Sequence, residues 1–179
     1  FAEAGAIAKL DDAGFKADAF FPGAWESVNY KGNVWGVPFN VDVWFFAFVN
    51  KALFTAAGVD PASAMTWEGL KAAAPKLTDA SKGTYAIGLT GNKSEYPVVM
   101  TNSFIYSNGG AVLDADGKCA LTTPEAVAAL EFYKEMTQYS PAGILNAANE
   151  QMRELFLNGT LAIELWPALE QPTLDKSKI

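Results

Sequence analysis

Histidine is absent from this 179-residue chain, and cysteine occurs once, as Cys119. The first absence excludes Ser-His-Asp and Cys-His nucleophiles and every histidine-ligated metal site. The second excludes an intrachain disulfide. Basic residues are outnumbered, 13 Lys and Arg against 20 Asp and Glu, and the formal charge of −7 argues against nucleic acid as a partner. No apolar run approaches the roughly 18 residues that span a bilayer. No charged segment followed by an apolar stretch marks a secretory leader. There is no C-x-x-C pair and no Gly-rich phosphate loop, so neither a metal nor a cofactor is expected. What the chain does have is apolar bulk. Half of it is hydrophobic and 13% is aromatic, enough for a packed core and too much for a disordered segment. The length suits one domain or one and a half.

In chain order, residues 1–13 give a weak helix signal through Ile7 and Leu10, with Gly14 as its stop. Tyr30-Lys31-Gly32-Asn33 is a turn, because Gly tolerates positive φ and Asn nearly so. Residues 34–39 read as a strand ending at Pro38, which cannot donate to a ladder. A buried strand is predicted over 43–49 and a short helix over 51–57, stopped by Gly58. Thr66 caps a helix carrying Trp67, Leu70, Ala74 and Leu77 on one face, which Pro75 should kink or end near Ala74. Residues 84–90 alternate as a strand, and 96–107 suit a helix. Asp114 to Gly117 reads as a hairpin turn; it lacks the further acids of a Ca²⁺ loop. Thr123-Pro124-Glu125 is a strong helix start, with Ala126, Leu130 and Tyr133 as the predicted buried stripe. A helix over 147–157 and a strand over 160–166 complete the pattern. Strands alternating with helices predict an α/β domain with a mixed, mostly parallel sheet flanked by helices.

One stretch departs from simple core patterning. Residues 30–51 read Y-K-G-N-V-W-G-V-P-F-N-V-D-V-W-F-F-A-F-V-N-K. Asn40, Asp42 and Trp44 fall at period 2, so in an extended chain all three point to one side. An amide and a carboxylate hydrogen-bond hydroxyls, and an indole covers the apolar face of a sugar ring. The plainer reading is a strand-end Asn, a capping Asp and a core Trp.

The same stretch opens a series of motifs. They are G-x-V-x-G-V-P at 32–38, N-K-x-L-F-x-x-A-G at 50–58, T-W-E-x-L at 66–70, S-N-G-G at 107–110, T-P-E-A-V-x-A-L-E-F-Y-K at 123–134 and E-L-F-x-N-G-x-x-A-I at 154–163. In this order they resemble the extracellular solute-binding proteins of sugar ABC importers, the maltose-binding-protein-like family 1. Members are much longer, so the resemblance implies an internal segment. It implies one lobe of a periplasmic-binding-protein type II fold: 1–38 as the end of the first lobe, 39–44 as the hinge or crossover, and 45–179 as an incomplete second lobe.

The function implied is a monomeric, non-enzymatic solute-binding component, periplasmic or extracellular, that closes on a sugar-like solute in an interlobe cleft and delivers it to membrane permease subunits. Asp42 would project into the cleft beside Asn40 and Trp44. Tyr96 and Asn102 would come from the segment that offers an aromatic platform in relatives. Trp166 would take a stacking role, although relatives commonly read G-P-W where this chain reads L-W-P-A-L; a core Trp is the alternative. Trp35 and Trp67 read as structural. Two other readings stand beside this one. A carbohydrate-active enzyme fragment needs only paired carboxylates, and Asp42, Glu95, Glu131 and Glu164 are available. A folding domain with one wall of a cleft would bind solute weakly or not at all by itself.

Overall fold

The computed structural model of the chain describes residues 1–10, 14–41 and 44–167. It divides into two units, Phe1–Asp42 and Val43–Ile179.

In the first unit a short helix, α1 (Pro22–Ser27), leads into a hairpin of β1 (Asn29–Tyr30) and β2 (Asn33–Val34), in which Tyr30 pairs with Asn33. The two turn residues Lys31 and Gly32 both have positive φ, 50° and 74°. That is the two-residue turn whose twist matches the flanking strands. Trp35 is structural as expected, its Nε1 donating to the Tyr30 carbonyl at 3.0 Å. The helix expected over 1–13 does not form in its described part. Gly5 sits at φ 64° and its N–H donates to the Ala2 carbonyl at 3.1 Å, which closes a turn instead. The strand expected over 34–39 stops at Val34, and Pro38 beyond it has no N–H to extend a ladder. No described residue of this unit is buried, and Phe1, Phe21 and Phe39 stand in solvent.

The second unit is α/β. It runs β3 (Phe46–Val49), α2 (Lys51–Ala57), a 3-10 turn (Pro61–Ala64), α3 (Trp67–Leu77), β4 (Tyr85–Ile87), α4 (Glu95–Ser107), α5 (Pro124–Met136), α6 (Asn149–Leu157) and β5 (Leu161–Trp166). The sheet order is β3-β5-β4, with β5 antiparallel to β3 and parallel to β4. The sheet is therefore evenly mixed among the described strands rather than mostly parallel. β3 is shorter than the expected 43–49 and is half exposed, because it lies at an edge while β5 takes the centre. Residues 44 and 45 precede the ladder; the alternation expected to align Asn40, Asp42 and Trp44 runs through 42 and 43, which lie outside the described residues.

The helix ends follow from local chemistry. The Asn50 side chain accepts from the Ala52 and Leu53 amides at 3.0 and 3.2 Å, and Gly58 closes α2 at φ 64°. Thr66 Oγ1 accepts from Gly69 N at 3.1 Å, and Thr123 caps α5 with Pro124 in its first turn. α3 continues past Pro75 to Leu77. Pro75 lies on the exposed face, where the carbonyl that loses its bond can be hydrated. The buried side of α5 is Ala126, Ala129, Phe132 and Met136, so the stripe is turned from the one expected and Leu130 faces out. Phe132 stacks on Trp67 with ring centroids 4.3 Å apart and planes at 15°. Burying one such ring contributes roughly 1.5–3 kcal/mol. Leu70, Ile87, Met100, Met152 and Ile163 fill the same core. The expected hairpin at 114–117 is present: Asp114 Oδ1 accepts from the Asp116 and Lys118 amides at 2.9 and 2.8 Å, and Leu113 bridges Cys119.

Candidate functional site

In sheets with parallel strands, ligand crevices lie beyond the carboxyl ends of those strands. Here that end is defined by β4 leading into 88–94 and by β5 ending at Trp166. Because β3 is antiparallel to β5, its amino end lies at the same edge, with Phe46 opposite Trp166. Trp44, Tyr96 and Trp166 meet there. The Trp44 ring is 5.7 Å from Tyr96, and Tyr96 is 5.5 Å from Trp166. Phe45 meets both Trp44 and Tyr96 edge-on, at 5.9 and 5.1 Å.

These rings have different duties. Tyr96 and Trp166 are 4% and 6% exposed, so they form the inner layer. The Tyr96 hydroxyl donates to the Leu165 carbonyl at 3.0 Å, which fastens the first turn of α4 to the end of β5. The Arg153 guanidinium carbon lies 5.9 Å from the Trp166 ring centre, within cation-π range. Trp44 is 40% exposed and lies on this layer as the accessible face. An indole with this much ring surface accessible has the chemistry to cover the apolar face of a ring or polyol chain.

Asn102 is half-buried on α4, in a groove of about 650 Å³ shared with Thr90, Asn92, Ser94 and Thr101. Asn40 is exposed in the first unit, in a groove of about 620 Å³ with Asp18, Phe20, Phe21 and Phe39. Asp42 lies outside the described residues.

The run from β4 into α4 is pinned along its length. Ser140 Oγ donates to the Ile87 carbonyl at 2.7 Å, and Gly88 N donates to Ile163 O at 3.2 Å. Tyr133 Oη donates to Thr90 O at 2.6 Å and accepts from Thr90 N at 3.1 Å. Gly91 N donates to Leu145 O and Asn92 Nδ2 to Ala147 O, each at 2.8 Å. Burial pushes the Tyr133 phenol up to about 12, with the bond to Thr90 acting in the other direction, so it remains a neutral donor.

Glu164 was visible in the sequence only as one spare acid among several. It is 2% exposed on the central strand, and neither carboxyl oxygen has a hydrogen-bond partner. Burial raises its pKa well above the ordinary carboxylate range. A Cβ added at Gly88 would stand 2.7 Å from its Oε2, so the carboxyl rests against the bare backbone of that glycine. The signal for it was an acid inside the apolar run L-A-I-E-L-W. Of the other acids weighed for a carboxylate pair, Glu95 and Glu131 are exposed on α4 and α5. Among the described residues no group of three or more acids and cysteines could hold a metal ion, and no helix is long and apolar enough to cross a membrane.

Comparisons with known proteins agree with this architecture. Residues 1–171 match the bacterial extracellular solute-binding protein family. YcjN of Escherichia coli K12, named for ABC-transporter periplasmic binding, is 29% identical over 163 residues, which are 88% of this chain and 36% of that protein. A binding protein of Brucella abortus is 31% identical over 74% of the chain and 32% of its own length. Among solved structures, a solute-binding protein of Agrobacterium radiobacter in complex with ribitol superposes with a TM-score of 0.82 at 29% identity, covering 99% of this chain and 47% of that one. Maltose-bound MalE3 of T. maritima gives 0.79 at 30% identity, covering 98% and 46%. The chain thus spans about a third of the curated relatives and just under half of the solved ones. With its motifs, its α/β architecture and a family match over nearly its whole length, the chain belongs to the bacterial extracellular solute-binding proteins.

Proposed function

We propose that this chain is part of the solute-binding component of an ABC importer, acting outside the cytoplasmic membrane, and that its solute is a sugar or similar polyhydroxylated molecule. The observation that carries this is the partly exposed Trp44 indole, packed against Tyr96, which in turn packs on Trp166, at the carboxyl end of the β4–β5 pair. Such a surface supplies the apolar half of sugar recognition; hydroxyl partners supply the other half. Asn40 and Asp42 are proposed as such partners on the strength of the sequence, and Asn102 as a further one from α4. The rest of the full-length protein supplies the opposing wall. Binding then works by closure around the solute, with the population shifting toward the closed form that a permease receives. No bond in the solute is broken. The related structures holding ribitol, maltose and α-D-tagatose support this class of ligand.

The test is a thermal-shift screen of the full-length protein against pentitols, hexoses and disaccharides. Stabilisation that grows with solute concentration and leaves the solute chemically unchanged is the expected result. Conversion of a disaccharide to monosaccharides would instead favour the paired-carboxylate enzyme.

A further inference from the structure

Tyr133 reaches two places at once. Its hydroxyl saturates both backbone polar atoms of Thr90, donating to the carbonyl and accepting from the amide, at 2.6 and 3.1 Å. The same oxygen lies 3.2 Å from Met100 Sδ, and its ring meets Phe104 edge-on at 5.4 Å. Met100 and Phe104 are one and two turns along α4 from Tyr96. A single side chain on α5 therefore grips the exit of β4 and braces the helix that carries Tyr96.

Thr90 is the residue at which this grip has consequences. Toward the chain start, Gly88 is tied to β5 through the Ile163 carbonyl. Toward the chain end, Gly91 and Asn92 are tied to Leu145 and Ala147. Thr90 lies between these anchors and beyond the end of the β4 ladder. Its backbone is satisfied by a residue 43 positions away. A strand exit with both polar atoms capped by one phenol has one course open to it. That course delivers Tyr96 to Trp44 and Trp166.

We propose that Tyr133 is a positioning residue of the solute site: it sets the course of 88–94 and, through α4, the seat of Tyr96 beneath Trp44. This rests on the reading of the Trp44 surface as a solute wall. Tyr133 does not touch the solute. No local pattern marks the role, since Tyr133 falls on a helix face that reads as ordinary core.

Tyr133→Phe in the full-length protein tests it, because the ring and its packing stay while both Thr90 atoms lose their partner. Two readouts are needed. The first is amide exchange by NMR without solute. The Thr90 and Gly91 amides are expected to exchange about tenfold faster in the variant, while Ile163 on β5 changes less than about twofold. Equal acceleration everywhere would mean a purely structural residue, and no change at Thr90 would mean no clamp; either overturns the inference. The second is calorimetric affinity with ribitol and maltose as probes. Tyr133→Phe is expected to weaken whichever probe binds by about tenfold. Loss of binding in Trp44→Ala with full affinity in Tyr133→Phe would overturn the positioning role and leave the site reading intact. If the wild-type protein binds neither probe, the exchange result alone decides the clamp.

Discussion

Replacing Glu164 gives an effect whose sign is opposite to that of an ordinary surface acid. In the unfolded chain the carboxyl ionises near 4.5. In the folded chain burial holds it neutral well above that value. Below the unfolded pKa both states are protonated and the group adds no pH-dependent cost. As pH rises past it, the unfolded state releases a proton that the folded state keeps, so folding stability falls with pH until the raised pKa is reached. Glu164→Gln removes this titration and keeps the shape. The difference in melting temperature between the Glu164→Gln variant and wild type should widen as pH rises above the ordinary carboxylate value of 4.5, in favour of the variant.

Glu164→Met removes the polar atoms as well, with a side chain of similar length that adapts to the space against Gly88. A buried polar atom without a partner costs about 1–3 kcal/mol, so this variant should be more stable near neutral pH by about that much. Differential scanning fluorimetry of the full-length protein across pH is sufficient. Parallel curves for wild type and Glu164→Gln would refute the reasoning. So would a wild type that gains on the variant as pH rises, since that would require a cation paired with the carboxylate.

Two more perturbations follow from the structure and the sequence. Gly69→Ala lies in the first turn of α3, where helix propensity alone predicts a gain of about 1 kcal/mol. An added Cβ there would collide with the Ser63 carbonyl oxygen, which is backbone, so a net loss of about 1–3 kcal/mol is expected in urea melts; a gain would contradict the packing of α3 on the 3-10 turn. Asp42→Ala in the full-length protein should weaken solute affinity by more than about tenfold, because hydroxyls of the solute lose a charged acceptor, and an unchanged dissociation constant would remove Asp42 from the site.

Local signals carried far in this chain. Thr66 and Thr123-Pro124 mark helix starts by capping chemistry that acts within three residues, and both helices begin there. The turn read at Tyr30–Asn33 is equally local, and the structure closes it as a hairpin with its positive φ at Lys31 and Gly32. What the sequence withheld depends on partners far along the chain. The half-exposed state of β3 follows from β5 taking the centre of the sheet, more than a hundred residues later. The rotation of the α5 stripe follows from Phe132 meeting Trp67, which no periodicity within α5 encodes. At the site, aromatic residues at 44, 96 and 166 were legible as candidates, but their division into one open ring and two supporting rings is set by tertiary burial. The pins on 90–92 come from 133–147 and that on Gly88 from β5, all invisible to any local pattern.

The most direct test is calorimetric titration of the full-length protein and its Trp44→Ala variant with a polyol or sugar that binds the wild type. Loss of stacking by the open indole should weaken binding by about tenfold or more, an aromatic contact of this kind being worth roughly 0.5–1.5 kcal/mol beyond its buried area. The variant's melting temperature without solute should stay within a few degrees of wild type, since Trp44 lies outside the inner ring layer. Equal affinity in the two proteins would contradict the assignment of Trp44 as the solute-facing wall.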